Sequence, residues 1–139
     1  ERCQARQLRL GYTPFEEVLQ SADVLSLHCL LTDETRHMIG SRELAQMKPS
    51  AILINTARGA IVHEQALIEA LKEGAIAGAG LDVFENEPQV PEALMQCENA
   101  VLLPHLSSGT HETRREMARL VVENLAAHFS GEPLLTPVC

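Results

Sequence analysis

Four short apolar runs begin about 25 residues apart, and amphipathic helical patterns fill the intervals between them. This alternation is typical of βαβ units, in which right-handed helical crossovers join parallel strands. The pattern therefore predicts an α/β fold built on a parallel sheet. A chain of 139 residues, of which 45% are apolar, is long enough to form the core of one such domain.

The predicted strands cover residues 23–29, 51–55, 76–83 and 101–103. The second run is continuously apolar and rich in β-branched residues, which predicts a strand buried on both faces. Cys29 ends the first run and is interpreted as a small buried hydrophobic residue.

Two helices are predicted before the second strand. The first begins at a capping box formed by Thr13 and Glu16, with Pro14 at the first helical position. The second is short and covers residues 41–47, because Pro49 follows it and cannot continue a helix.

Two longer helices follow. One covers residues 63–73 and ends at Gly74, which serves as its C-cap. The other covers residues 113–129 and ends at Gly131. Apolar residues at helical spacing predict that one face of this last helix turns inward. That face consists of Met117, Leu120, Val121 and Leu125.

Charge and composition exclude several functional classes. The formal net charge is −8, which argues against a nucleic-acid partner because such binders carry a basic face. No apolar run approaches the ~18 residues of a membrane span, so no membrane partner is expected. The cysteines form no C-x-x-C pair and are expected to be reduced thiols of a cytoplasmic protein. They are Cys3, Cys29, Cys97 and Cys139.

Polar residues follow the last three predicted strands, where an open parallel sheet binds its ligands. An arginine can grip a carboxylate in two bonds. A histidine can transfer a proton near neutral pH, while a neighbouring carboxylate orients its ring. This set suits proton transfer at the oxygen of a 2-oxo or 2-hydroxy acid, coupled to hydride transfer at its carbon. The residues are Arg58, Asp82, Glu85, Glu87 and His105.

Each of these residues also has a purely structural interpretation. Arg58 could form a salt bridge or a contact at a helix start. Glu85 and Glu87 could be a solvated acidic edge, and His105 could be a structural residue after a strand. A metal site at His105 is disfavoured, because the i,i+4 and C-x-x-C spacings of preformed metal sites are absent.

Three segments together resemble the D-isomer-specific 2-hydroxyacid dehydrogenases, a family that includes glyoxylate/hydroxypyruvate reductases and phosphoglycerate dehydrogenases. The resemblance implies a Rossmann-type sheet in residues 1–110, as the later part of an NAD(P)-binding domain. It implies a C-terminal helix and tail in residues 111–139 that pack on a substrate domain. The segments are LHCLLTDETR at 27–36, MKPSAILINTARG at 47–59 with GLDVFENEP at 80–88, and LPH at 103–105.

The resemblance also implies an activity and a set of site residues. The family transfers a hydride between NAD(P)H and a small 2-oxo or D-2-hydroxy acid, and a homodimer is expected. Arg58 would bind the substrate carboxylate, Glu87 would pair with the catalytic histidine, and His105 would donate or accept the proton. NAD or NADP would contact Leu30, Thr56, Ala57, Arg58, Asp82, His105, Ser107 and Ser108.

The family's Gly-x-Gly-x-x-Gly turn, which holds the cofactor pyrophosphate, does not occur in these 139 residues. The expectation is therefore that this chain alone is an incomplete, inactive portion of an enzyme. The alternative function is a nucleotide-sensing, corepressor-like interaction module on the same scaffold. The joint presence of Arg58, Glu87 and His105 favours catalysis.

Overall fold

The structure is a computed structural model that describes residues 11–137. Residues 1–10 of the predicted NAD(P)-binding domain therefore lie outside the described residues, as do Cys3 and Cys139. The chain divides into two compact units, Glu1–Pro104 and His105–Cys139.

The first unit contains a four-stranded parallel sheet in which each strand pairs with the next along the chain. This confirms the predicted α/β class and the parallel, Rossmann-type sheet. The first three strands are shorter than their predicted runs, and the fourth begins and ends one residue earlier than predicted. The strands are β1 (Val24–Leu27), β2 (Ile52–Asn55), β3 (Gly78–Leu81) and β4 (Ala100–Leu102).

Two predictions about the strands are wrong. Strand β2 alternates between buried and more exposed residues: Leu53 is fully buried, whereas Ile52 is 40% exposed. Among the described residues, β2 is therefore buried on one face and more exposed on the other, and not buried on both faces as predicted. Cys29 lies after β1 and is only half-buried, because the chain leaves the sheet at Leu27.

Within residues 11–104, the first unit also contains four α-helices and a short 3₁₀ turn at Gly59–Ile61. The capping box predicted at Thr13 is wrong: Pro14 is the N-cap of the first helix, and no side chain caps it. The C-cap at Gly74 is confirmed, with φ 68° in the left-handed region that favours glycine. The helices are α1 (Phe15–Ser21), α2 (Ser41–Leu44), α3 (Glu64–Glu73) and α4 (Glu92–Met95).

The second unit contains the long helix α5 (His111–Ser130). It begins earlier than predicted, because Thr110 is the N-cap and its hydroxyl accepts a hydrogen bond from the Thr113 N–H. The prediction of an inward apolar face is wrong for this structure. Leu120 is half-buried, while Met117, Val121 and Leu125 are each at least half exposed.

The core of the first unit is aliphatic. Leu53, Ile61 and Leu94 are fully buried, and Leu19 and Leu67 are each 1% exposed. A buried leucine of this kind stabilises a fold by roughly 1.5–3 kcal/mol relative to an exposed one. Among the described residues, no helix is both long enough and apolar enough to cross a membrane.

Candidate active site

A cavity of about 530 Å³ opens at the carboxyl ends of β1 and β2. Residues 28–32 form one wall and residues 56–58 form the other. This is the edge at which an open parallel sheet binds its ligands. The structure thus brings together four of the predicted cofactor-binding residues, which are Leu30, Thr56, Ala57 and Arg58.

The wall after β1 is a turn held by two threonines. The Thr35 hydroxyl donates to the Leu30 carbonyl at 2.6 Å and accepts from the Thr32 N–H at 2.8 Å. These bonds fix the backbone of the turn, while the Leu30 side chain is 83% exposed. Leu30 therefore offers an apolar surface to a ligand at the rim of the cavity.

The wall after β2 is shaped by Asn55, a residue that sequence reasoning did not single out. Its buried side chain donates to the Arg58 carbonyl at 3.0 Å and accepts from the Ala57 N–H at 3.1 Å. Asparagine commonly closes a turn on its own backbone in this way. The signal available in the sequence was a polar residue ending an otherwise apolar strand.

The Arg58 side chain is exposed at this wall. Its guanidinium donates one hydrogen bond, from Nη1 to the carbonyl of Ala57 at 2.6 Å. A guanidinium has several more N–H donors in a planar fork that matches a carboxylate. The purely structural interpretation as a salt bridge receives no support, since no described carboxylate pairs with Arg58.

Gly59 brings this wall against the loop that follows β3. A Cβ atom at position 59 would lie 1.9 Å from the carbonyl carbon of Phe84 and 2.4 Å from the Glu85 nitrogen. Only glycine permits such an approach of two backbones. The Arg58 turn and the loop carrying the predicted catalytic carboxylate are therefore in direct contact.

The loop after β3 carries three acidic residues in different environments. Asp82 is 2% exposed, and its backbone N–H donates to the Asn55 carbonyl at 3.0 Å. Glu87 is exposed, and its Oε1 accepts from the Phe84 N–H at 3.0 Å. Glu85 is half-buried and points to His37, with 2.7 Å between Glu85 Oε1 and His37 Nε2.

The Glu85 contact changes its ionisation. Burial raises the pKa of the carboxyl, but hydrogen bonds from His37 and from the Glu64 N–H outweigh it and hold the pKa below the ordinary value of 4.5. Because the Glu85 side chain is 24% exposed and contacts His37, its interpretation as a solvated acidic residue is wrong. Glu64 shifts the other way, since burial raises the pKa of its carboxyl.

Three predicted site residues belong to the second unit: His105, Ser107 and Ser108. The backbone of His105 has φ 54°, a left-handed conformation that is uncommon for residues other than glycine. The Ser108 carbonyl accepts a hydrogen bond from Arg114 Nε at 3.0 Å, which ties this segment to the first turn of α5.

A second cavity, of about 630 Å³, lies within the second unit between α5 and residues 134–136. Its walls are mostly apolar, and it contains none of the predicted site residues. Within residues 11–137, no group of three or more histidine, cysteine or carboxylate side chains could hold a metal ion.

Both a family model and individual relatives match this sequence. Residues 1–107 match the family model for D-isomer specific 2-hydroxyacid dehydrogenase, NAD binding domain. The chain is 60% identical over 121 residues to a glyoxylate reductase of Thermococcus litoralis, an alignment covering 87% of this chain and 37% of that protein.

Solved structures agree with the sequence comparison. An NADPH-dependent glyoxylate/hydroxypyruvate reductase of Sinorhizobium meliloti, in complex with NADP and malonate, is 45% identical with a TM-score of 0.87. The alignment covers 94% of this chain and 41% of that one. The holo form of a D-mandelate dehydrogenase of Rhodotorula graminis is 35% identical with a TM-score of 0.92. It covers 99% of this chain and 41% of that one.

The chain spans 37% of the Thermococcus litoralis protein and 41% of a hydroxyphenylpyruvate reductase of Plectranthus scutellarioides. The family model nevertheless extends over most of this chain, and the sequence segments, the parallel sheet and the cavity at its carboxyl edge all agree with it. The chain therefore belongs to the D-isomer-specific 2-hydroxyacid dehydrogenase family, and its residues 1–107 belong to the NAD-binding domain of that family.

Proposed function

We propose that this chain serves, within its full-length protein, in the NAD(P)H-linked reduction of a small 2-oxo acid to a D-2-hydroxy acid, and in the reverse oxidation. One observation carries the proposal: in a chain of this family, the cavity at the carboxyl edge of the sheet has an exposed arginine on its wall. Glyoxylate and hydroxypyruvate are the proposed substrates.

The described residues fit a dinucleotide. The cavity volume of about 530 Å³ lies within the range of ~300–1,000 Å³ usual for small-molecule sites. Leu30 offers an apolar surface, and Thr56 is an exposed hydroxyl residue on the opposite wall. Leu30, Thr56, Ala57 and Arg58 would hold NAD or NADP there. The family resemblance adds Asp82, His105, Ser107 and Ser108 as proposed cofactor contacts. When bound, the nicotinamide supplies or accepts the hydride at the substrate carbon.

Arg58 binds the substrate carboxylate in this proposal. Its exposed guanidinium carries a fixed positive charge in a chain whose formal net charge is −8. A planar fork of donors can hold both carboxylate oxygens and set the direction in which the adjacent carbonyl points. The Asn55 bonds support this role, because they fix the backbone from which Arg58 projects.

His105 transfers the proton in this proposal. In reduction it donates the proton to the carbonyl oxygen as the hydride arrives at carbon, and in oxidation it accepts the proton back. Glu87 is assigned to orient the His105 ring and to stabilise its protonated form. The bond from the Phe84 N–H supports this assignment, because it fixes the Glu87 carboxylate.

We also propose a cytoplasmic homodimer. Among the described residues, Cys29 and Cys97 are free thiols, as expected for a protein in a reducing compartment. The homodimer rests on the family resemblance. The sensing-module alternative has no specific observation in its favour, whereas all three residues proposed for catalysis are present.

The test separates the two chemical roles by substitution in the full-length protein. His105→Asn removes the proton donor, and we expect kcat to fall by about 10²–10⁴-fold. Arg58→Gln removes a charge-assisted contact worth about 1.5–3 kcal/mol, and we expect KM for the 2-oxo acid to rise by roughly 10–150-fold. Steady-state kinetics at saturating NADH or NADPH measures both quantities.

Two exposed residues provide matched controls. His128→Asn and Arg42→Gln alter the same residue types at positions that do not line the cavity carrying Arg58, and they should leave both constants within about twofold. Turnover close to wild type in His105→Asn would remove the assignment of the proton donor. An unchanged KM in Arg58→Gln would remove the assignment of the carboxylate site.

A further inference from the structure

One cluster of ionisable side chains lies outside the cavity and joins three separate segments of the first unit. His37 precedes α2, Glu64 is the first residue of α3, and Glu85 follows β3. We name these three residues the bracket. Glu85 was a candidate carboxylate in the sequence, but none of the three has a role in the reaction proposed above.

The first contact of the bracket joins residues 48 positions apart. His37 Nε2 lies 2.7 Å from Glu85 Oε1, with side chains that are 34% and 24% exposed. The His63 ring packs edge-on against His37, with ring centroids 4.8 Å apart. The contact is thus partly shielded from water on its histidine side, which strengthens it relative to a fully exposed pair.

The second contact is reciprocal. The Glu64 N–H donates to Glu85 Oε2 at 3.4 Å, and the Glu85 N–H donates to Glu64 Oε2 at 3.3 Å. Each carboxylate therefore binds the backbone of the other residue, as in a capping box formed between two segments. This exchange ties the start of α3 to the loop after β3.

The backbone of His37 connects the bracket to Arg58. The His37 N–H donates to the Ala60 carbonyl at 2.8 Å, and Ala60 lies in the short 3₁₀ turn directly after Arg58. His37 adopts φ 54°, a conformation that allows its backbone and its ring to bind different segments. Its main chain thus holds the Arg58 turn, and its side chain holds Glu85.

The backbone of Phe84 connects the bracket to Glu87. The Phe84 N–H donates to Glu87 Oε1, and the Phe84 carbonyl lies against Gly59. A shift of Glu85 would therefore move the loop that fixes Glu87 and the surface on which the Arg58 turn rests. Both groups that we assign to the substrate end of the reaction depend on this one loop.

We propose that Glu85 and His37 are positioning residues for the reaction, because they fix the distance between the Arg58 turn and the Glu87 carboxylate. This inference rests on the proposed function. It predicts that breaking the contact weakens substrate binding and turnover even in protein that is fully folded, since a misplacement of ~1 Å can lower a rate by about 10²-fold.

The test uses three variants of the full-length protein: Glu85→Ala, His37→Asn and the double variant. Asparagine tolerates a positive φ and is too short to reach Glu85. Each single variant should raise KM for glyoxylate and lower kcat, with kcat/KM falling about tenfold or more, while KM for NAD(P)H changes less than twofold. The double variant should be no worse than the poorer single one, since both remove the same contact.

The controls separate positioning from stability. Glu73→Ala removes an exposed carboxylate from the last turn of α3 and should leave kinetics unchanged. Glu85→Gln keeps an acceptor for His37 and should recover part of the lost kcat/KM, which keeps the test valid if Glu85→Ala fails to fold. Melting temperatures are measured for every variant.

The outcomes distinguish the two proposals. Wild-type kinetic constants in folded Glu85→Ala, with only the melting temperature lowered, would show a structural role and overturn the positioning role alone. If Glu85→Ala does not fold, wild-type kinetic constants in Glu85→Gln would overturn it. A double variant whose loss of kcat/KM equals the product of the two single losses would also overturn the positioning role. A wild-type protein inactive on every 2-oxo acid would instead overturn the proposed function, and the positioning role with it.

Discussion

Glu85 and Glu87 lie two residues apart, yet the fold gives them different surroundings. Glu85 turns toward His37 and the start of α3, whereas Glu87 turns back onto the Phe84 N–H. The sequence alone could indicate that a carboxylate in this loop has a role, but not the partner of Glu85. His37 is 48 positions away and becomes its neighbour only through the parallel crossovers.

This difference predicts a pH dependence of stability. The pKa of Glu85 is lowered in the folded state, so its ionised form stabilises the fold above its ordinary pKa of 4.5, and this contribution is lost as pH falls through the lower folded value. Glu85→Gln should lower the melting temperature by about 2–5 °C at pH 7. The difference from wild type should shrink as pH falls toward 3.

Thermal unfolding followed at several pH values between 3 and 7 measures this difference. Glu73→Gln is the matched control, because Glu73 is an exposed carboxylate, and its substitution should shift the melting temperature little at any pH. A Glu85→Gln difference that stays constant across this range would contradict the ionic role of Glu85.

At the scale of elements, the sequence predicted every strand and every α-helix except α4 among the described residues. Hydrophobic periodicity identifies such elements well, but their ends depend on local hydrogen bonds. Thr110 and Thr113 are both possible N-caps for α5, and only the bond between them shows that Thr110 is the cap. The prediction of an inward apolar face on α5 was wrong for another reason. Periodicity shows that a helix has an apolar face, but not which part of the protein covers that face.

The contact between the loops after β2 and β3 was also beyond sequence reasoning. Gly59 follows Arg58 in a motif that the family resemblance singled out, but the reason for a glycine there is the Phe84 backbone. A backbone cannot move aside as a flexible side chain can. The glycine is therefore required by the packing of two loops and not by a positive φ.

Gly59→Ala should strongly destabilise the protein. The added Cβ would lie 1.9 Å from the Phe84 carbonyl carbon, and overpacking of this kind typically lowers stability by about 1–3 kcal/mol or more. Denaturant unfolding of the full-length protein measures the loss. Gly11→Ala is the control, because Gly11 is exposed, no atom lies within 4 Å of its added Cβ, and a change within about 0.5 kcal/mol is expected. Equal stability of the two variants would show that the loops do not pack as described.

At the scale of the whole molecule, the family and the fold were predictable because three ordered segments and a strand repeat agreed with one another. The NAD-binding domain is confirmed by the family model over residues 1–107. The grouping of Leu30, Thr56, Ala57 and Arg58 on one cavity agrees with the predicted cofactor site. The proton transfer by His105 stays a prediction, because it depends on chemistry that burial and periodicity do not report.

The most direct test of the central claim is the initial rate of NADH and NADPH oxidation by the full-length protein with glyoxylate, compared with acetaldehyde, which lacks the carboxylate. The account predicts oxidation of one cofactor with glyoxylate, accumulation of an equal amount of the 2-hydroxy acid, and a rate with acetaldehyde at least about tenfold lower. Cofactor binding without oxidation, with glyoxylate and with every other 2-oxo acid supplied, would contradict it and would favour a nucleotide-sensing module.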